Sequence, residues 1–447
     1  MEFLPTVPEP VRWIATTLEG AGFETWVVGG AIRDLVLGYE AEDWDLATSA
    51  RPHEIMAAFA RTVPVGIEHG TVGVLARGTL YEVTTFRRDV ETHGRHAVVE
   101  FAEDIEEDLA RRDFTFNAIA WDPLRGRLLD PSEGLADLKA HILRTVGDPE
   151  RRFAEDRLRV LRALRFSGQF GFAIEDETWR ALCDAVSEMH VLSAERVQEE
   201  LMKVLSLAVP SVALELYARS GALAELYPEL AEVAEVRGAS SRETLLRACD
   251  AVPAPRSLVR LATLLSPIAR ERPGDARAVY ATVERLLGRL RFSNAATARV
   301  SALVSNRTRV VPSCESSDIR HWLHRTGPAL FPDTARIWIA EVRAGLDPVG
   351  DAASVPADAV ARRVRAARAV LGAKPPLAVS DLALNGEHLR AMGLHPGPKF
   401  GVILRNLLDH VLEHPEANTR TELEAFLRLS GLLTEASQPQ DTDDDPT

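Results

Sequence analysis

Residues 24–47 read ETWVVGGAIRDLVLGYEAEDWDLA, and this stretch decides the fold of the first part of the chain. A β-branched run ends at Val28, the pair Gly29-Gly30 follows, and residues 31–38 have the apolar spacing of a helix. We predict a strand, a glycine turn and a helix, with backbone amides at the start of the helix available to an anionic ligand. Arg33 adds a positive charge there, although the segment alone is equally consistent with a surface ion pair between Arg33 and the acid that follows it.

Two carboxylates, Asp43 and Asp45, lie two positions apart at the next predicted strand, residues 44–47. Side chains two apart on a strand lie on one face, so this pair can share divalent cations, as two-metal phosphoryl transfer requires. Such a pair by itself is more often a solvated surface feature. Glu82, on the predicted strand 80–85, is a candidate third catalytic acid or a structural partner for an arginine. The sequence thus predicts a Mg²⁺ site at Asp43 and Asp45.

The chain changes character along its 447 residues. Short β-branched runs at 24–28, 44–47, 71–75 and 80–85 alternate with helical segments in the first part, whereas predicted strands almost vanish afterwards. We predict an α+β fold in which an N-terminal head, a mixed sheet with helices, is followed by helical segments. The predicted parts are a head at 1–135, a helical neck at 136–225, a helical body at 226–372, a helical tail at 373–435 and a disordered acidic segment at 436–447.

The composition excludes several classes of protein. No apolar run is long enough to cross a membrane and no secretory signal is evident, so we expect a cytoplasmic protein without a membrane partner. Cys183, Cys249 and Cys314 are widely spaced and unclustered, so we expect neither a disulfide nor a zinc site. The net charge of −14 argues against a nucleic-acid partner, but seven arginines between Arg144 and Arg165 allow a local basic surface.

Further motifs follow in order: DLARRDFTFNA at 108–118, EDRLR at 155–159 and SAERVQEEL at 193–201. Together with GGAIRD at 29–34 and DWD at 43–45, they resemble the class II tRNA nucleotidyltransferases and the related bacterial poly(A) polymerases of the polymerase β superfamily. The resemblance implies a protein that transfers CMP and AMP from CTP and ATP to the 3′ end of tRNA, with Mg²⁺ as cofactor.

The resemblance also assigns roles to individual residues. The glycine turn and Arg33 are expected to receive the triphosphate, and Arg112 and Asp113 to hold the ribose, although a charged run before a strand would look the same. Asp156 and Arg159 are three apart, and we expect them to share a face of one helix, where they either select the edges of cytosine and adenine or pair with each other. The residues expected to bind nucleotide are Gly29, Gly30, Arg33, Arg112, Asp113, Asn117, Asp156, Arg159, Arg162 and Arg165.

Three alternative functions stay open. Poly(A) polymerases share the head, but residues 65–72, VGIEHGTV, resemble the tRNA-directed enzymes more closely. Residues 88–101 occupy the place of a loop that in the family helps to switch from C to A addition; they are slightly short and lack the expected Tyr and Pro, so an enzyme that adds only CC or only A is a second alternative. The third is a non-catalytic RNA-binding protein. Residues 393–420 resemble a tail that docks on tRNA, although a helical hairpin used only for packing is equally consistent.

Overall fold

The structure is a computed structural model, and it describes residues 5–93, 96–231, 238–272, 274–306, 313–346, 357–394 and 396–430. The chain divides into two compact units, Met1–Val236 and Arg237–Thr447. The first unit contains a mixed sheet with helices, and the described part of the second unit is helical. The predicted α+β class is therefore confirmed. The predicted acidic segment 436–447 lies outside the described residues, and the finer domain boundaries stay predictions.

The first unit is built around a seven-stranded sheet. Its strands and the short ones beside it are, in chain order, Thr25–Val28 (β1), Asp45–Thr48 (β2), Thr62–Gly66 (β3), Thr71–Ala76 (β4), Thr79–Thr85 (β5), Arg87–His93 (β6), His96–Phe101 (β7), Ala120–Asp122 (β8), Arg127–Leu129 (β9), Ile142–Leu143 (β10) and Ala173–Ile174 (β11). The order across the sheet is β3–β4–β5–β2–β1–β8–β9, whereas β6 with β7 and β10 with β11 form two separate two-stranded sheets. Within the seven-stranded sheet β2 and β5 run parallel, and the other neighbours run antiparallel.

The four predicted strands correspond to β1, β2, β4 and β5, with ends displaced by one residue at most. One displacement corrects a prediction about the site. Because β2 begins at Asp45, Asp43 lies in the segment before the strand, so the predicted placement of both acids on one strand is wrong. Between them, Trp44 is buried, so the chain enters the sheet with an apolar anchor flanked by two acids.

The helices of the first unit are Glu9–Gly20 (α1), Gly30–Val36 (α2), Pro52–Ala58 (α3), Ile105–Ala110 (α4), Gly134–Ala140 (α5), Pro149–Glu155 (α6), Leu158–Phe170 (α7), Asp176–Ala185 (α8), Ala194–Ser206 (α9), Pro210–Arg219 (α10) and Ala222–Leu226 (α11). Helices α1 and α3 pack on the sheet, and α7 packs against α9 and α10. The helical path is interrupted between α10 and α11 at Gly221, whose φ of 88° favours glycine.

One face of the sheet is apolar at one end and acidic at the other. Trp26, Val28 and Ala47 belong to a buried core that also includes Ile105 and Leu109 of α4. Side chains two apart along a strand share a face, so this core and the Asp45 carboxylate lie on the same side of the sheet. The acid therefore stands where the apolar layer ends and a cavity opens.

An interruption of the helix between α6 and α7 corrects a second prediction. Helix α6 ends at Glu155 and α7 begins at Leu158, while Asp156 has an extended backbone with φ −149° and ψ 106°. Oδ1 of Asp156 accepts a hydrogen bond from the backbone N–H of Leu158 at 3.0 Å. A short acid that satisfies a free amide at a helix start favours this break, so the expected single helix carrying both Asp156 and Arg159 is wrong.

The second unit is described here by itself. Its helices are Gly238–Ala251, Ser257–Leu264, Ser266–Glu271, Ala276–Arg289, Asn294–Ser305, Ser316–Thr326, Phe331–Ala344, Ala357–Gly372, Gly386–Ala391, Pro398–Glu413 and Arg420–Leu429. A buried cluster that includes Trp322, Trp338 and Leu407 joins several of them. In the described ranges of the whole chain, no helix combines the length and the apolar character needed to span a membrane.

Candidate active site

A cavity of about 400 Å³ opens in the first unit beside β1, β2 and β5. Its size suits a ligand as large as a nucleotide. The charged residues that line it are Arg33, Arg87, Arg111, Arg112, Arg159, Arg162, Asp45, Glu82, Asp108, Asp113 and Asp156. These six arginines supply the local positive charge that a polyphosphate needs, although the chain as a whole carries a net charge of −14.

The glycine turn lies where β1 ends. Gly29 has a φ of 74°, a left-handed conformation that favours glycine. A Cβ at this position would lie 3.2 Å from Nη1 of Arg112 and 3.8 Å from Oδ2 of Asp45. The absence of a side chain therefore lets a guanidinium and a carboxylate converge over the turn.

Two acids meet on the parallel strands β2 and β5. Leu46 is paired with Val83, and one step back along both strands brings Asp45 beside Glu82. Within the part of the chain that the structure describes, neither carboxylate accepts a side-chain hydrogen bond or forms an ion pair. The other three acids of the cavity wall are each paired with an arginine.

The charge around Asp45 suits a cation. The pKa of Asp45 is raised, first by loss of hydration in the cavity wall and then by the negative charge of Glu82; Arg112 acts in the opposite direction, and Asp43 adds to the increase. Like charges held together in this way are relieved when a divalent cation binds. Asp43 is exposed and does not line the cavity, although its charge reaches Asp45. Among the described residues, no group of three or more His, Cys, Asp or Glu side chains is close enough to form a metal site.

One chain of hydrogen bonds links the glycine turn to α7. Nη1 of Arg33 donates to Oδ1 of Asn117 at 2.9 Å, and Nδ2 of Asn117 donates to Oδ1 of Asp113 at 2.9 Å. Nε and Nη2 of Arg162 lie 2.8 and 2.6 Å from Oδ2 of Asp113. Burial alone would raise the pKa of Asp113, but the charge of Arg162 and these hydrogen bonds outweigh it, so the pKa is lowered.

Arg33 also pairs with Asp34 at 2.8 Å and stacks over the rings of Phe166 and Phe170. Arg33 is only 8% exposed, so its ion pair with Asp34 is not the ordinary surface pair that the sequence also allowed. The guanidinium is instead fixed between the head and α7 while lining the cavity.

Asp108 orients two arginines of the wall, and the sequence analysis missed both this acid and Arg111 as site residues. Nε of Arg111 and Nη2 of Arg112 each donate to Asp108 at 3.1 Å. Burial would raise the pKa of Asp108, but the charges of Arg112 and Arg111 lower it. Arg111 and Arg112 follow Asp108 by three and four positions, a spacing that brings side chains together on a helix. This spacing could have indicated the cluster from the sequence. Other wall residues without a predicted role are Thr71, Thr84, Arg87 and Phe166.

Asp156 and Arg159 both face the cavity but do not pair with each other. Oδ2 of Asp156 lies 2.7 Å from Nη2 of Arg196 on α9. Nη1 of Arg159 lies 2.7 Å from Oε2 of Glu155, and Nη2 donates to the backbone carbonyl of Arg111 at 3.1 Å. Each side chain is thus held in place by a partner outside the pair, and the alternative of a mutual ion pair is wrong.

Arg165 is placed away from the cavity. Its Nε lies 2.7 Å from Oε2 of Glu200, in a buried ion pair between α7 and α9. The buried carboxylate needs this partner because an uncompensated charge at that position would be costly. The position of Arg165 therefore does not support the predicted contact with nucleotide.

Comparison with known proteins relates this arrangement to a family. The model of the Poly A polymerase head domain matches residues 25–144, and that of the probable RNA and SrmB-binding site of polymerase A matches residues 171–233. The crystal structure of the Bacillus stearothermophilus CCA-adding enzyme in complex with CTP is similar to this chain, with 30% sequence identity and a TM-score of 0.73. The superposition covers 96% of this chain and 99% of the relative's chain. The chain belongs to the CCA-adding enzyme family.

Comparisons with other CCA-adding enzymes agree with this family assignment. The CCA-adding enzyme of Lactobacillus helveticus (strain DPC 4571) is 46% identical over 203 residues, which are 45% of this chain and 51% of that protein. In such alignments the chain spans about half the length of the curated relatives it matches. The Thermotoga maritima CCA-adding enzyme complexed with tRNA shares the fold, with 20% identity and a TM-score of 0.60 over 94% of each chain. The resemblance stated from the motifs is confirmed.

Proposed function

We propose that this protein transfers CMP and AMP from CTP and ATP to the 3′ hydroxyl of tRNA and releases pyrophosphate, with no nucleic-acid template. One observation carries the proposal: Asp45 and Glu82, which have no side-chain partner in the described residues, face a cavity whose wall holds six arginines. The Bacillus stearothermophilus relative binds CTP and the Thermotoga maritima relative binds tRNA, which supports both substrates. We place the activity in the cytoplasm.

The acids provide the reacting end of the cavity. Asp45 and Asp43 are the proposed Mg²⁺ ligands and Glu82 a further acid beside them; the bound metal would favour deprotonation of the acceptor hydroxyl and offset the charge of the leaving pyrophosphate. The raised pKa of Asp45 fits this assignment, because partial loss of hydration, followed by the negative charges of Glu82 and Asp43, disfavours its ionised form. The carboxylates thus favour the approach of a cation over that of an anion.

The arginines provide the polyphosphate end. Arg112 lies over Gly29, and Asp108 fixes its direction. Arg33 is held by Asn117 and by two aromatic rings, so little freedom is lost when it binds an anion. We propose that Gly29, Gly30, Arg33 and Arg112 receive the triphosphate.

The position of Asp113 modifies the expected ribose contact. Oδ1 accepts from the backbone N–H of Phe114 and from Asn117, and Oδ2 is held by two nitrogens of Arg162. The lone pairs of the carboxylate are therefore used within the protein. We assign Asp113 a positioning role, in which it presents Asn117 and Arg162 to the ribose.

The choice of base is assigned to Asp156 and Arg159. A carboxylate accepts from an exocyclic amino group and a guanidinium donates to ring acceptors, which is the pattern required by cytosine and adenine. Arg196 and Glu155 hold the two side chains at 2.7 Å each, so their directions are set before nucleotide binds. A protein surface with fixed donors and acceptors can select a base without a template.

Incubation of the protein with tRNA that ends at the discriminator base, with CTP and ATP offered separately and together, tests the proposal. We expect C from CTP alone and the full CCA end from both nucleotides. No incorporation would refute the enzymatic proposal, and RNA binding without incorporation would favour the non-catalytic alternative. CC alone, or A alone on tRNA that ends in CC, would indicate a partial activity, and long A tracts would indicate a poly(A) polymerase.

Substitution of the acids tests the metal assignment. Asp43→Ala with Asp45→Ala is expected to abolish incorporation and to leave tRNA binding unchanged, because the acids touch only the reacting end. Glu103→Ala with Glu106→Ala, which removes two exposed acids of the first unit that do not line the cavity, is the matched control and is expected to stay active. Full activity of the double variant would exclude these acids as metal ligands.

A further inference from the structure

An exposed aliphatic surface lies on the sheet beside the acids. Val63, Val65 and Leu80 are 45%, 45% and 44% exposed, and we call them the aliphatic platform. Val63 is paired with Gly73 across β3 and β4, so the two residues share a face. A Cβ on Gly73 would lie 2.9 Å from Val65 and 2.8 Å from Leu80, so both side chains lie down over this glycine. Gly73 thus allows three strands to present one apolar surface.

The platform continues the row that contains the acids. Gly73 is paired with Glu82, and Glu82 stands beside Asp45, so the row runs Val63, Gly73, Glu82, Asp45 across β3, β4, β5 and β2. Neighbouring strands lie about 4.8 Å apart, which places Val63 roughly 10 Å from Glu82. Leu80 is nearer, about 7 Å from Glu82 along β5.

The order of the strands separates two sides of the acids. The glycine turn, assigned to the triphosphate, follows β1, whereas the platform lies on β5 and β3, on the other side of β2 from that turn. In displacement at phosphorus the attacking and leaving oxygens are roughly in line. An acceptor hydroxyl must then reach the acids from the side opposite the pyrophosphate, which is the side of the platform.

Two features of β3 argue against a protein strand as the occupant. β3 is the edge of the sheet, contains Pro64, and has a register shift between Val63 and Gly66. Proline and a bulge at an edge both oppose pairing with a further strand. A charge at the border fits RNA instead: Arg87 lines the cavity, and its Nη1 donates to the carbonyl of His69, just after β3.

We propose that the aliphatic platform holds the terminal base of the RNA acceptor while Arg87 faces its backbone phosphate. This inference rests on the proposed function and identifies where the second substrate of that reaction sits. Stacking of a base face on Val65 and Leu80 removes apolar surface of both partners from water. The platform would act on any 3′-terminal base, since every base has an apolar face.

The double variant Val65→Ser with Leu80→Ser tests the proposal by steady-state kinetics. We expect the KM for tRNA to rise by about tenfold, equivalent to roughly 1.4 kcal/mol, with the KM for CTP unchanged. Met56→Ser is the control, since this apolar side chain is 37% exposed, belongs to α3 of the same unit and lies outside the cavity wall. An unchanged KM for tRNA, or an equal rise in the control or in the KM for CTP, would overturn the proposal.

Photo-crosslinking tests the same contact without turnover. An acceptor RNA that carries 4-thiouridine at its 3′ end is irradiated with the full-length protein, which is then digested with trypsin. We expect crosslinks in the peptides 62–77 and 78–87, which contain the platform, and their loss in the double serine variant. Crosslinks found only in other peptides would refute the inference. Crosslinks that the double serine variant leaves unchanged would also refute it, and would be expected if the platform served a protein partner instead. Crosslinking requires binding but no turnover. A wild-type protein that crosslinks at the platform but adds no nucleotide would therefore refute the proposed function and leave the inferred binding site intact.

Discussion

Breaking the ion pair between Asp113 and Arg162 is expected to destabilise the first unit. Arg162→Met would leave the Asp113 carboxylate, which is 8% exposed, with only Asn117 and the Phe114 N–H as partners among the described residues. Loss of one partner of a buried pair costs about 3–5 kcal/mol. The side chain of Arg162 is 31% exposed, so water can replace part of the interaction, and we expect roughly 2–3 kcal/mol.

A double-mutant cycle isolates the pair. Asp113→Asn and Arg162→Met together are expected to cost less than the sum of the single variants, with a coupling of about 1–2 kcal/mol. Urea unfolding followed by hydrogen exchange of peptides from residues 105–170 reports on this unit alone, which matters because the chain has two units. The pair of Arg77 with Glu9, 71% and 60% exposed, is the control and is expected to couple by about 0.5 kcal/mol or less.

The dependence on pH gives a second check of the same pair. Because the folded pKa of Asp113 is lowered, its contribution to stability is present above the unfolded value, about 3.9, and is lost as pH falls through the folded value. The cost of Asp113→Asn should therefore shrink below about pH 4. A coupling as small as that of the control pair, or a cost that does not change in acid, would refute the account of this network.

Two further perturbations test the site and the fold. Glu82→Gln is expected to reduce kcat by about a hundredfold or more, and to move the acid limb of the remaining pH–rate profile to lower pH, because Glu82 helps to raise the pKa of Asp45; an unmoved limb would contradict this. Gly168→Ala is expected to lower the free energy of unfolding by about 1–3 kcal/mol, since a Cβ on this α7 residue would lie 2.6 Å from the backbone N of Ala213. Gly288→Ala lies in another helix, where the added Cβ would meet nothing within 4 Å, and should instead stabilise the protein by about 0.5–1 kcal/mol. Thermal unfolding of both variants measures the two effects, and equal effects would refute the packing argument.

Much of the head could be predicted because its determinants are local. The run before Gly29 is β-branched, the glycine pair permits a left-handed turn, and Asp45 opens a short strand whose next three residues are buried. Among the strands that were missed, β8 and β9 have three residues each, and β3 contains a proline. Short segments of this kind carry too few residues for a periodic pattern.

The partners of the charged residues could not be predicted because they depend on distant parts of the chain. Arg165 faces Glu200, and Asp156 faces Arg196 on α9, contacts that span 35 and 40 positions. A spacing of three between Asp156 and Arg159 suggested one helix, but a hydrogen bond from a backbone amide to the Asp156 carboxylate ends the helical path there. The motif therefore identifies the residues, while the fold determines which of them face the cavity.

The most direct test of the central claim is the identity of the nucleotides that the protein adds when all four are present. Single-turnover reactions on tRNA that ends at the discriminator base, analysed by mass spectrometry of the 3′ end, are expected to show only C and A in the order of the CCA end. Arg159→Met, which keeps the acids intact, is expected to add nucleotides with relaxed selectivity. Random addition of all four nucleotides by the wild-type protein, or selectivity that survives loss of Arg159 and its neighbour Asp156, would contradict a choice of base made by these side chains.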